Sequence, residues 1–251
     1  MWVYNLTFVI HTRKQSPKNV FIYSWLESQR GKGSNEVCSA LQNLLIRLKR
    51  RIETHRYKEL HLFADSCAGQ NKNLSMVALL LTYLNSPLNK YFEEIKFFWP
   101  IRGHSYLPAD QVFGRIEREL KKKVTVLSPE EYYEVYRRYG RVKLFPQDFQ
   151  VFDYKRLADT ILRKNCLQSR QTRQWSFKKS DPKKIFVSDR FFGNETAVSI
   201  FRPKLQPLKS YKPLLLPKQS FVKDAKKEDV RSLLSHFTLS EEQKRFYDEN
   251  L

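Results

Sequence analysis

Residues 60–73 read Leu-His-Leu-Phe-Ala-Asp-Ser-Cys-Ala-Gly-Gln-Asn-Lys-Asn, a short apolar strand that ends on Asp65 and opens into a polar turn. Beyond the turn, Leu74, Val77, Ala78, Leu81 and Leu84 recur at helical spacing, which predicts a helix over about 74–84. A second strand is predicted over Ile95–Trp99, then a loop to Leu107, then a helix over Pro108–Lys123. Pro108 suits a first helical turn, where its missing N–H would be unpaired anyway, and Val112, Phe113, Ile116 and Leu120 give that helix a core-facing stripe. Two strands joined by a right-handed helical crossover lie parallel and finish on the same sheet edge. Asp65 ends the first strand, and Asp110 sits in the first turn of the helix that starts from that edge, so the pattern predicts that the two carboxylates converge. Such a pair can share a Mg²⁺ or Mn²⁺ ion that orients an attacking water or hydroxyl and stabilises charge on a phosphate.

Glu117 is the alternative to Asp110, seven residues further along the same helical face and about 10.5 Å along the axis. It is also placed to pair with Lys121 four residues on. Gln70, Asn71, Lys72 and Asn73 precede a helix and are candidates for positioning a phosphate or for capping. Without Gly-x-x-x-x-Gly-Lys-[Ser/Thr] the turn is no P-loop. His104, in the loop facing the same edge, is a candidate general acid or base. The other His residues, at 11, 55, 61 and 236, form no metal-spaced set.

Trp2–His11 and Val20–Leu26 are rich in β-branched and aromatic residues on either side of a Ser-Pro-Lys-Asn turn, which predicts an antiparallel strand pair. A helix is predicted from Ser34 or Asn35, with Val37, Leu41, Leu44, Leu45, Leu48 and Ile52 on one face. Later signals are a helix start at Ser128-Pro129-Glu130-Glu131, a small strand within Gly140–Tyr154, a helix over Lys155–Lys164, and a hairpin about Gly193-Asn194. The segment 202–218 holds Pro203, Pro207, Pro213 and Pro217 and reads as an extended arm. Short helices are predicted from Lys227 and after Ser240. These elements define an α/β chain with an expected core over 1–127, a small α+β extension over 128–201, and a basic Pro-rich arm with helices over 202–251.

The chain carries 46 Lys and Arg against 26 Asp and Glu, a formal charge of +20. Residues 1–127 hold 20 Lys and Arg against 10 acids, and residues 128–251 hold 26 against 16, so the two halves are equally basic. A protein this basic attracts polyanions through counterion release, which makes nucleic acid the leading partner class. No run approaches a membrane span and no signal peptide is apparent, so a soluble intracellular protein is expected, with no membrane partner. Cys38, Cys67 and Cys166 are odd in number and far apart, which fits a reducing compartment.

The blocks Asp65 to Asn73, Gly103-His104-Ser105-Tyr106 and Asp110 to Glu117 resemble those of an uncharacterised family of transposon-derived proteins from invertebrates and fishes. The likeness extends to Trp2-Val3-Tyr4-Asn5 and to the basic stretch Lys226–Tyr247. The resemblance implies an RNase H-like, DDE-transposase-type fold: a mixed sheet flanked by helices, with three acids binding two divalent ions. Carried onto this chain, Asp65 is the second acid and Asp110, or alternatively Glu117, the third. The first acid has no counterpart, and its strand is expected upstream of Met1, leaving the core N-terminally incomplete. The expected function is therefore nucleic-acid binding, DNA before RNA, with Mg-dependent cleavage or strand transfer in the intact protein and a nuclear location. The alternative is a catalytically inactive DNA-binding or interaction module that docks protein partners through the Pro-rich arm.

Overall fold

The structure is a computed structural model that describes residues 2–101, 106–164, 167, 172–203 and 206–251. His104 and Cys166 lie outside the described residues. The chain forms two compact units that interleave in sequence: Met1–Lys32, Pro108–Gln150 and Pro217–Leu251 make one, and Gly33–Leu107 with Val151–Leu216 make the other. The expected divisions at 127 and 201 are contiguous, whereas these units are not.

In the first unit, β1 (Val3–Val9) and β2 (Val20–Leu26) form the anticipated antiparallel pair, in register from Val3 opposite Leu26 to Val9 opposite Val20. Their partner differs from expectation. The RNase H-like arrangement would put this pair in one sheet with the strand at Leu60, but β5 (Arg141–Leu144) lies parallel to β2 instead and closes a three-stranded sheet of order β1-β2-β5. The reason lies in β2 itself: Val-Phe-Ile-Tyr-Ser-Trp-Leu is buried at every position and must be a central strand, while the alternating Arg-Val-Lys-Leu of β5 suits an edge. Val20 and Ile22 pack beneath α4 (Pro108–Leu120) and α5 (Pro129–Tyr139), against Val112, Ile116, Val135 and Tyr136. Tyr23 and Trp25, of the opposite parity, meet the edge of Phe149.

Local signals set the ends of α5. The Glu131 carboxylate accepts from the Ser128 and Leu127 amides at 3.0 and 2.9 Å, which is the capping box legible in Ser-Pro-Glu-Glu. Gly140 ends the helix where a Cβ would stand 2.8 Å from Val20 Cγ1 and 3.0 Å from its carbonyl oxygen. The C-terminal stretch returns to the same unit. Gln219 and Phe221 donate to the carbonyls of Gln29 and Glu27, Lys226 pairs with Glu27, and α7 (Asp224–Leu234) and α8 (Glu241–Asn250) follow, with the Tyr247 hydroxyl on the Leu127 carbonyl at 2.9 Å.

In the second unit, β3 (Glu59–Phe63) and β4 (Glu94–Phe98) are the anticipated parallel pair, and α3 (Leu74–Leu84) is the crossover between them. The sheet continues antiparallel through β7 (Gln174–Lys178), β8 (Lys184–Ser188) and β9 (Thr196–Ser199), giving the order β3-β4-β7-β8-β9. It is a mixed sheet in a mixed α/β protein. The β8–β9 pairing is the anticipated hairpin; β7 was not anticipated, although its Trp175 and Phe177 alternate with Gln174 and Ser176. Gln174 and Ser176 are buried because the Glu195 carboxylate accepts from both of them. Helix α3 is buried on all sides from Ser75 to Leu84, packed on β4 and β7 and between α1 (Ser34–Arg47) and α6 (Tyr154–Ile161). The apolar run expected as one helix divides at Leu48 into α1 and α2 (Lys49–His55). Within the expected arm, β10 (Leu215–Leu216) pairs with β6 (Val151–Phe152).

Gly140→Ala is predicted to destabilise the chain by about 1–3 kcal/mol, because the new methyl must displace Val20 in the central strand. Urea unfolding followed by circular dichroism reads this, and an unchanged midpoint would show that the end of α5 is not packed on β2 as described.

Candidate functional site

The parallel ladder extends one residue past β3, where the Ala64 amide donates to the Phe98 carbonyl at 3.2 Å. Asp65 follows at the carboxyl end of the pair, and its side chain is exposed. The turn after it is built on one atom: the Cys67 carbonyl accepts from the amides of Gln70, Asn71 and Lys72 at 3.2, 2.9 and 3.1 Å. The turn then hands the chain to α3 through Asn73, whose Oδ1 caps the Met76 amide at 3.1 Å and whose Nδ2 donates to the Ala68 carbonyl at 2.9 Å.

Asn71 is buried and donates its Nδ2 to Asp65 Oδ1 at 2.8 Å, which fixes the carboxylate from beneath. Its own Oδ1 is buried without a hydrogen-bond partner among the described residues. Lys72 is buried as well, and its Nζ donates to the Thr172 carbonyl at 2.7 Å and lies 4.8 Å above the Trp99 ring centroid. Burial, and secondarily the charge of Arg173, lower the Lys72 pKa to about 8. Trp99 follows β4 at the same edge, wholly enclosed, with an indole N–H that has no partner among the described residues. Of the four turn residues proposed to hold a phosphate, Asn71, Lys72 and Asn73 are thus engaged with the protein, and Gln70 is the one whose side chain makes no hydrogen bond among the described residues.

Asp110 lies in the first turn of α4, exposed, in the first unit, while Asp65 belongs to the second. Glu117 stands on the same helix and pairs with Lys121 at 3.0 Å, both side chains well exposed. Among the described residues no three or more His, Cys, Asp or Glu side chains gather as a metal-binding group. Magnesium commonly takes one or two carboxylates and completes its shell with water and phosphate, so the exposed Asp65 carboxylate, held among the described residues through Oδ1, fits one ligand of such an ion.

Two features here escaped the sequence reading. The first is a group of rings on the sheet face beside Asp65: Phe63 and Phe98 stack at 4.8 Å, and Phe192 lies 5.0 Å from Phe98. Phe63 is 56% and Phe192 68% exposed, and Phe192 holds a left-handed φ of 53°, strained for a residue with a large side chain. The signal was the Leu60, Leu62 against His61, Phe63 alternation, which puts apolar groups on both faces of β3. The second is the distribution of charge. The second unit holds 25 Lys and Arg against 11 Asp and Glu, a balance of +14, while the first holds 21 against 15, a balance of +6. Counting by halves of the sequence conceals this, because the units interleave.

The profile of a family described as domain of unknown function DUF7869 matches residues 4–193, and the chain belongs to that family. Comparison with the curated proteins and with the solved structures gives no match. No helix among the described residues is long and apolar enough to cross a membrane.

The lowered Lys72 pKa has a signed consequence for stability. Between about pH 8 and the ordinary lysine value of 10.5, the unfolded chain binds the proton that the folded chain has lost, so this group's contribution to stability rises with pH across that window. The destabilisation from burying the charged amine is present in full below pH 8. In paired urea titrations at pH 7 and pH 10, the stability of the parent relative to Lys72→Met should move in favour of the parent at the higher pH. A pH-independent difference would show that the amine is not desolvated.

Proposed function

For this family member we propose a nucleic-acid-binding domain with an RNase H-like core of transposase type, in which Asp65 serves Mg²⁺- or Mn²⁺-dependent phosphodiester cleavage or strand transfer in the intact protein. The observation that carries the reading is the place of Asp65: an exposed carboxylate, fixed by the buried Asn71, at the carboxyl end of a parallel strand pair. Open α/β sheets bind their ligands at that end of the strands. The mixed five-stranded sheet around it supports an RNase H-like reading, and the pairing of β1 and β2 with β5 is where this chain departs from it. The balance of +14 on the same unit supports a phosphate-rich substrate, DNA before RNA, and with it a nuclear location.

In this reading Asp65 holds the ion. A bound divalent ion would supply Lewis-acid stabilisation of charge on the phosphate and lower the pKa of a bound water. Asn71 keeps the carboxylate oriented through Oδ1, leaving Oδ2 for the ion. A DNA-binding module without catalysis is the second reading, favoured by the inward engagement of Asn71, Lys72 and Asn73, which leaves few side chains at the turn to grip a substrate.

Both readings predict DNA binding that weakens steeply with salt. With 6–10 phosphate contacts, affinity should fall by roughly 10³- to 10⁵-fold between 50 and 200 mM salt, as read by fluorescence anisotropy. Affinity indifferent to salt would overturn both. The readings part at Asp65→Ala. On the enzymatic one, Mn²⁺-dependent nicking of plasmid DNA is lost while circular dichroism and DNA affinity are kept; nicking equal to the parent would remove Asp65 from the chemistry.

A further inference from the structure

The edge of the five-stranded sheet opposite Asp65 carries a second concentration of charge. There β7 ends at Lys178, opposite Glu94 at the start of β4, and Lys184 at the start of β8 stands opposite Ser199 at the end of β9. Helix α3, which begins beside Asp65, ends at this edge with Asn85 as its C-cap. A cleft of about 690 Å³ lies there, lined by Arg163, Lys183, Arg202 and Lys209 together with Phe201. No carboxylate is among its described lining residues. Asp181, in the turn that supplies Lys183, is taken by Lys184 at 2.7 Å.

Two of the four cations are held in place by the backbone. An isolated bridge pairs Leu162 with Phe201, the Arg163 amide donates to the Ile200 carbonyl and the Arg202 amide to that of Ile161. The Arg163 guanidinium then donates to the Ser199 carbonyl, and Arg202 Nε to the Leu162 carbonyl at 3.1 Å. These carbonyls are neutral, so the contacts orient the guanidinium groups without cancelling their charge. None of the four cations forms an ion pair among the described residues, and all four are exposed, so solvent screens their mutual repulsion while their charge stays uncompensated by protein carboxylates. Such an arrangement is suited to an anion supplied from outside.

The cleft also continues. Lys209 lines a second cleft of about 480 Å³ that holds Lys212 and the half-buried rings of Phe152 and Tyr211, above the buried Tyr83 and Tyr154. A path with cations at one end and aromatic rings at the other, joined at a shared lysine, matches a polymer that alternates phosphates with flat bases better than an isolated anion.

We propose that this double cleft is a binding track for single-stranded nucleic acid, with backbone phosphates on Arg163, Lys183, Arg202 and Lys209 and a base against the half-buried rings of Phe152 and Tyr211 in the neighbouring cleft. The inference rests on the nucleic-acid reading given above and adds to it a site at the sheet edge remote from Asp65. The full chain, Lys183→Gln/Lys209→Gln and the control Lys14→Gln/Lys18→Gln are titrated with a fluorescein-labelled oligothymidylate across a salt series. All four lysines are exposed, so neither double variant disturbs the core. The cleft variant should bind roughly 10- to 100-fold more weakly than the parent at 0.1 M salt, and its log–log salt slope should be shallower by about 1.4, which is two contacts at 0.7 each. The control should lose much less. Equal losses in the two variants, with the parent still binding, would overturn the track and leave the nucleic-acid reading standing. No salt-dependent binding by the parent would overturn that reading and the track with it.

Discussion

The parallel ladder between β3 and β4, closed by the buried helix α3, is the constraint from which the candidate site follows. A parallel pair needs a crossover, and here the crossover is a helix apolar on all sides that must be enclosed by the sheet and by α1 and α6. Enclosing α3 fixes where its first turn lies, and the turn that enters it must then reverse tightly at the carboxyl end of β3. The Cys67 carbonyl, accepting three amides, makes that reversal, and Asp65 is left at its outer rim. The acid is therefore presented by the topology of the sheet, and Asn71 orients it from the interior.

Charge adds the second half of the account. A balance of +14 on one unit is costly to assemble unless its repulsions are relieved by solvent, by ion pairs or by an anionic partner. Along the outer face of β3 and β4 the relief is internal, where Lys96 reaches Glu94 at 3.1 Å and Glu59 at 3.3 Å. At Lys72 relief comes only above about pH 8, where the buried amine gives up its proton. Around Arg163, Lys183, Arg202 and Lys209 the described residues supply no such relief. The basic composition thus resolves into locations with different physical roles, which the total charge does not reveal.

What could be read from the sequence was local. Asn73 capping α3, Pro108 opening α4 and the Ser128–Glu131 capping box each depend on residues within one helical turn, and each is present where it was anticipated. The β3–β4 pair was legible too, because handedness leaves a short strand–helix–strand unit few arrangements. Strand partnership beyond that unit was not: β5 reaches β2 from more than a hundred residues away, and β7 inserts between β4 and β8 without any turn signal linking it to β4. The buried roles of Asn71 and Lys72 were hidden for another reason. Polar letters in a turn read as solvent-facing, and here the turn faces inward onto Thr172 and Trp99.

Ion binding at Asp65 is the claim on which the enzymatic reading stands, and isothermal titration of Mg²⁺ and Mn²⁺ measures it without needing a substrate. The account predicts saturable binding by the parent chain that is abolished in Asp65→Ala, with both proteins folded. Binding that survives Asp65→Ala unchanged, or a parent chain that takes up neither ion, would contradict it.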